Sequence, residues 1–89
     1  MTGPVDLRPY FKGDRLVTVP RRRPARLALL DRLAAEFEPG ILYSEEQVNA
    51  VLGRFHPDYC MLRRYLVDED FLGRRDGMYW RSGGTFHLD

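Results

Sequence analysis

The chain is poor in the residues that carry covalent or metal chemistry. It has one cysteine, Cys60, and two histidines, His56 and His87, in 89 residues. A lone cysteine excludes an internal disulfide. His56 and Cys60 stand four apart with Asp58 between them, but a zinc site takes four ligands, so no metal is expected. Cys60 lacks a convincing activating base for work as a nucleophile. No P-loop, dinucleotide fingerprint, Ser-His-Asp set or Gly-rich site with paired carboxylates is present. The expectation is therefore no catalytic residue, no cofactor and no enzyme. No apolar run is long enough to cross a bilayer, and no segment has the apolar core of a signal peptide. A membrane partner is not expected, and the cytoplasm follows by default. Lysine is nearly missing too: Lys12 is the only one among fourteen cations. A GC-rich genome accounts for that bias most simply.

What is present makes one small domain. A chain of this length buries only roughly 60–65 % of its unfolded surface, which leaves little room for a deep cavity. The net charge of +1 hides a division. Residues 21–32 hold Arg21, Arg22, Arg23, Arg26 and Arg32 against Asp31 alone. Residues 33–58 hold Arg54 against Glu36, Glu38, Glu45, Glu46 and Asp58. A dipolar chain of this kind is unlike a general nucleic-acid coat protein.

Residues 1–10, with Gly3, Pro4 and Pro9, read as an extended arm pinned by Tyr10 and Phe11. Gly13-Asp14 signals a turn. Leu16-Val17-Thr18-Val19 reads as a short strand stopped by Pro20. Pro24 suits the first turn of a helix, and Leu27, Leu30, Leu33, Ala34 and Phe37 recur at helical spacing. The first helix is expected at about 24–37, ended by Pro39-Gly40. Ile41-Leu42-Tyr43 could supply one strand of a small sheet. Ser44 with Gln47 three residues on forms a capping box, and Tyr43 with Val48 forms a hydrophobic staple. Glu45 and Glu46 suit the positive end of the helix dipole. Val48, Val51, Leu52 and Phe55 give that second helix, about 44–54, one apolar face.

His56-Pro57-Asp58 leads into a third helix, about 58–69. Tyr59, Leu62 and Leu66 share one face, Arg64 projects from the opposite one, and Arg63 lies on the flank. Asp76-Gly77 is the preferred pair for a two-residue type I′ hairpin turn. It sets Arg75 against Met78, Arg74 against Tyr79 and Gly73 against Trp80, in strands at about 71–75 and 78–81. Trp80 could then lie across Gly73, and Arg74 could stack on Tyr79. The tail from Ser82 reads as loose at its glycines. The ordered part is expected at about 10–81, between a flexible arm and a flexible tail. Three helices, a C-terminal two-stranded wing and a short N-terminal strand define an α+β winged helix-turn-helix.

Several phrases together resemble a bacterial family known as Domain of Unknown Function twenty eighty-seven. They are Tyr43-Ser44-Glu45-Glu46-Gln47-Val48-Asn49, Leu62-Arg63-Arg64-Tyr65-Leu66-Val67-Asp68, Leu72-Gly73-Arg74 and Gly77-Met78-Tyr79-Trp80. Pro20-Arg21-Arg22-Arg23-Pro24-Ala25-Arg26 is similar as well. The resemblance covers about residues 10–81. It implies a winged-helix domain, found alone or attached to regulators of the ArsR type, and it supplies no activity or ligand.

Three groups of residues could carry binding. Arg63 and Arg64, with Tyr59, sit on the helix that would enter a major groove, where arginine pairs bidentately with guanine. The bland account has Arg63 packing its stem on the core and bonding a carboxylate such as Asp68 or Glu46. Arg21, Arg22, Arg23 and Arg26 crowd the start of the first helix, where free N–H groups also favour an anion. The bland account there is a solvated basic loop. Arg74, Arg75 and Arg81 stand on the wing beside Tyr79 and Trp80, within reach of backbone or minor groove. The bland account makes the aromatics core and the charges solvated. Glu45, Glu46, Asp58, Asp68, Glu69 and Asp70 oppose the DNA reading, because carboxylates facing a phosphate offset the gain from counterion release.

The leading expectation is a winged-helix transcriptional regulator that binds double-stranded DNA. Arg64 would read bases with help from Arg63 and Tyr59, and Arg21, Arg22, Arg23, Arg74 and Arg75 would hold phosphates. A homodimer would add contacts. The competing expectation is a protein-interaction adaptor that uses the same fold without DNA. An enzyme accessory subunit comes third.

Overall fold

Three helices and two small antiparallel sheets make up the regular structure of residues 5–85, the part of the chain described in a computed structural model. Expectations for Gly3 and Pro4, and for Phe86 to Asp89 with His87, lie outside the described residues.

The chain enters through a 3-10 turn at Arg8–Tyr10 and a short hairpin of β1, Phe11–Lys12, and β2, Arg15–Leu16. Gly13, with φ +61°, opens the two-residue turn. Tyr10 and Phe11 do pin this segment, packing on the core together with Leu7. The strand expected over 16–19 keeps only Leu16. Val17 N–H still donates to the Tyr10 carbonyl at 2.8 Å, but there the partner chain turns into the 3-10 segment that holds Pro9. Val17 and Thr18 are left exposed.

Helix α1 spans Arg23–Ala34. It stops short of the expected residue 37 because its hydrogen bonds tighten. Glu36 N–H reaches Leu33 and Phe37 N–H reaches Ala34, a 3-10 pattern that comes just before Pro39. Phe37 is nevertheless fully buried, so the apolar stripe outlasts the helix. The stripe is also rotated from expectation. Leu29 is fully buried while Leu27 is half-exposed.

Helix α2, Glu45–Gly53, starts where the sequence says. Ser44 Oγ accepts from Gln47 N–H, and Gln47 Oε1 accepts from Ser44 N–H. Its far end has no basic residue in the last turn. Arg15 supplies the cation from the N-terminal hairpin, donating to the carbonyls of Gly53 and Arg54 at 3.2 and 3.1 Å. Leu16 N–H fixes the same junction through the Phe55 carbonyl.

Helix α3 spans Tyr59–Asp68, and the Asp58 carboxylate accepts from Met61 N–H at its start. At its end Asp70 adopts φ +63°, and Phe71 N–H donates to Leu66 while Asp70 N–H donates to Val67. This is a Schellman termination with aspartate in the left-handed position where glycine is usual.

Strands β4, Leu72–Arg75, and β5, Met78–Arg81, form the wing in the expected register, with Asp76 and Gly77 both at positive φ. The sheet has a third strand. β3, Tyr43–Ser44, pairs with β5 and gives the order β3-β5-β4. The strand signal at 41–43 therefore belongs one or two residues later, and Ile41 and Leu42 are exposed. No loop separates β3 from α2, so Ser44 is both the last strand residue and the helix cap.

Leu29, Leu30, Leu33, Phe37, Val48, Leu52, Leu62, Leu66, Leu72 and Tyr79 fill the centre where the helices meet this sheet. The first residues beyond the wing bond back to the body of the domain. Ser82 and Gly83 N–H groups both donate to Phe71, Thr85 N–H donates to the Asp31 carboxylate, and Arg81 reaches the Phe37, Gly83 and Thr85 carbonyls.

Candidate nucleic-acid interface

Side chains on a helix turn about 100° per residue. In α3 Leu62 and Leu66 point inward and are fully buried. Arg64 therefore sits on the outward crest. It is exposed and has no hydrogen bond or ion pair among the described residues. Cys60, Val67 and Asp68 bracket Arg64 on the helix surface, and this face lines a trough with the wing.

Arg63 lies one residue back and behaves differently. Its guanidinium donates to Asn49 Oδ1 and stands 3.8 Å from Glu45, both on α2, with only 19 % of the side chain exposed. Glu45 and Asn49 hold it in place of the expected Asp68 or Glu46. Glu45 also accepts a 3.0 Å bond from the Tyr79 hydroxyl. Tyr79 is 1 % exposed, and burial pushes its phenol above the ordinary value. The bond to Glu45 adds to that shift, and the Arg74 cation works against it. Arg74 lies 5.9 Å from the Tyr79 ring centroid, the stacking expected from the hairpin register.

Together Cys60, Arg63, Arg64, Val67, Asp68, Arg74 and Tyr79 line a trough of about 190 Å³ between α3 and the wing. Arg63, Arg64 and Arg74, from two of the three groups expected to bind, thus converge here. Arg75 is close by on the hairpin, highly exposed, 3.9 Å from Asp76.

The α1 cluster divides. Arg21 and Arg22 are exposed, and Arg22 precedes the helix without a side-chain cap. Arg23 is paired at 3.0 Å with Glu69 at the end of α3. Arg26 is half-buried, stacked 5.0 Å from the Tyr65 ring centroid and bonded to the Arg21 carbonyl. It occupies the inner stripe of α1, so it packs against α3 where the sequence suggested an anion site. Tyr59 turns away from the trough toward Gly53 of α2.

Several of the opposing acids are already engaged. Glu45 answers Arg63, Glu69 answers Arg23 and Asp58 caps α3. Glu46 and Asp68 are exposed, without an ion pair among the described residues. Asn49 is the site residue that sequence reasoning missed, along with the bonds that Glu45 makes to Arg63 and Tyr79. The hint available was Glu45 and Asn49 at i, i+4, which places both on one side of α2.

The helix-turn-helix of α2 and α3, with its sheet-borne hairpin, makes this an α+β protein of winged-helix layout. The chain belongs to a family of uncharacterized proteins conserved in bacteria, DUF2087, whose family model matches residues 15–81, from β2 to the end of β5. No solved structure and no curated protein matches it. Among the described residues no helix is long and apolar enough to cross a membrane.

Proposed function

We propose that this protein binds double-stranded DNA as a cytoplasmic bacterial transcriptional regulator, without enzymatic activity. Arg64 carries the reading: an exposed guanidinium, without an ion pair among the described residues, on the outward crest of the second helix of a helix-turn-helix. That position suits a bidentate contact to guanine in the major groove. Arg74 and Arg75 stand on the wing side for phosphates, and Arg21 and Arg22 stand at the start of α1. Arg63, held by Glu45 and Asn49, shapes the surface from within.

The test is salt-titrated binding to a random-sequence duplex. Affinity should fall steeply as salt rises, and Arg64→Glu should weaken it by at least tenfold at low salt. Unchanged affinity in Arg64→Glu would remove α3 as the reader. The adaptor reading draws on the exposed Ile41 and Leu42 and on Glu46 and Asp68, exposed and without an ion pair among the described residues. Absence of duplex binding at low salt would favour it.

A further inference from the structure

We infer that the trough between α3 and the wing seats one internal phosphodiester of a nucleic-acid strand, gripped by Arg74 from the wing, with Arg64 adding positive charge at the edge while its guanidinium reaches the bases; this deepens the DNA reading and rests on it. Size comes first. About 190 Å³ is below the roughly 300 Å³ at which small-molecule pockets begin. A free nucleotide would stand out of it, whereas a passing strand needs to place only one group there.

Charge comes second. Of the four charged residues lining the trough, Arg63 is already matched by Glu45. Arg64 and Arg74 then face Asp68, an excess of a single positive charge. An internal phosphodiester carries one negative charge. A phosphate monoester carries about −1.5 to −2 at neutral pH and would bring the surplus up to Asp68. Position comes third. A helix in the major groove and a wing in the neighbouring minor groove have one backbone strand between them, and the trough is the space between those two elements. The Tyr79 ring beneath Arg74 keeps that guanidinium on the trough wall.

The experiment is fluorescence anisotropy of a random-sequence duplex over a salt series, with the full chain and the variants Arg74→Ala, Arg64→Ala, Asp68→Asn and Arg54→Ala. Arg54 pairs with Glu36 outside the trough and is the control. Thermal melting confirms that each variant is folded. Arg74→Ala should weaken binding several-fold and reduce the salt slope by about 1. Asp68→Asn should bind more tightly at every salt concentration, and Arg54→Ala should match the parent. Inorganic phosphate, as competitor, should displace the duplex no better than chloride of equal ionic strength. If the parent binds duplex but Arg74→Ala keeps its affinity and slope, the trough inference falls and the DNA reading stands. Specific competition by inorganic phosphate overturns the diester preference. A parent that binds no duplex at low salt removes both.

Discussion

At Gly73 a missing side chain makes room for an indole. A Cβ there would run into the Trp80 ring, whose Cε2, Cζ2 and Nε1 atoms lie over the glycine. Gly73→Ala should displace the ring and cost about 1–3 kcal/mol, typical of overpacking. Trp80 is the only tryptophan, so its emission should shift along with the melting midpoint. Tyr79, across from Arg74, gives a pH-dependent case. Its phenol sits above the ordinary 10.0 in the folded state, chiefly because it is buried. The unfolded phenol therefore ionises first as pH rises. The stability held by the neutral phenol is complete below pH 10 and is lost as pH climbs through the raised folded value. Tyr79→Phe should lose about 0.5–1 kcal/mol at neutral pH, with the hydrogen bond to a half-exposed Glu45. Its stability should fall less steeply above pH 10 in alkaline denaturation. The facing of Trp80 and Gly73 was legible in the sequence because Asp76-Gly77 fixes the turn type and so the register. The Arg15 bond to α2 was not, because 38 residues separate donor and acceptor and no local pattern marks the pair.

Elements whose boundaries depend on local chemistry were the legible ones. The Ser44–Gln47 capping box starts α2 where expected, and Ser44→Ala should cost about 1 kcal/mol in thermal or urea unfolding. The α3 boundaries came within one residue for the same reason, with Asp58 capping one end. Elements that depend on a partner were read less well. β2 stops at Leu16 because β1 offers only two residues, and β3 moved to 43–44 because β5 sets where it can pair. The rotation of α1 has a similar origin. Arg26 reads as a free cation in a run of arginines, yet the Tyr65 ring gives it a place on the inner stripe. Arg63 reads as half of an arginine pair on α3, and only the approach of α2 separates it from Arg64.

Over the whole molecule, charge is sorted more finely than the division between residues 21–32 and 33–58 suggests. Two of the acids that would oppose a phosphate are matched by arginines from other elements, Glu45 by Arg63 and Glu69 by Arg23, and Glu36 pairs with Arg32 one turn before it and with Arg54. These pairs are partly exposed, so each adds little stability. With those acids engaged, Arg64, Arg74, Arg21 and Arg22 stand on the surface without an ion pair among the described residues. Ser44 has a consequence of another kind. Because it ends β3 against Met78 and also begins α2, no slack exists between sheet and helix. A load on the wing passes through β5 to the first turn of α2 as if through a rigid coupling. In hydrogen–deuterium exchange the amides of Ser44, Gln47 and β5 should open as one unit with a common free energy, and independent protection of Gln47 and β5 would show that the coupling slips.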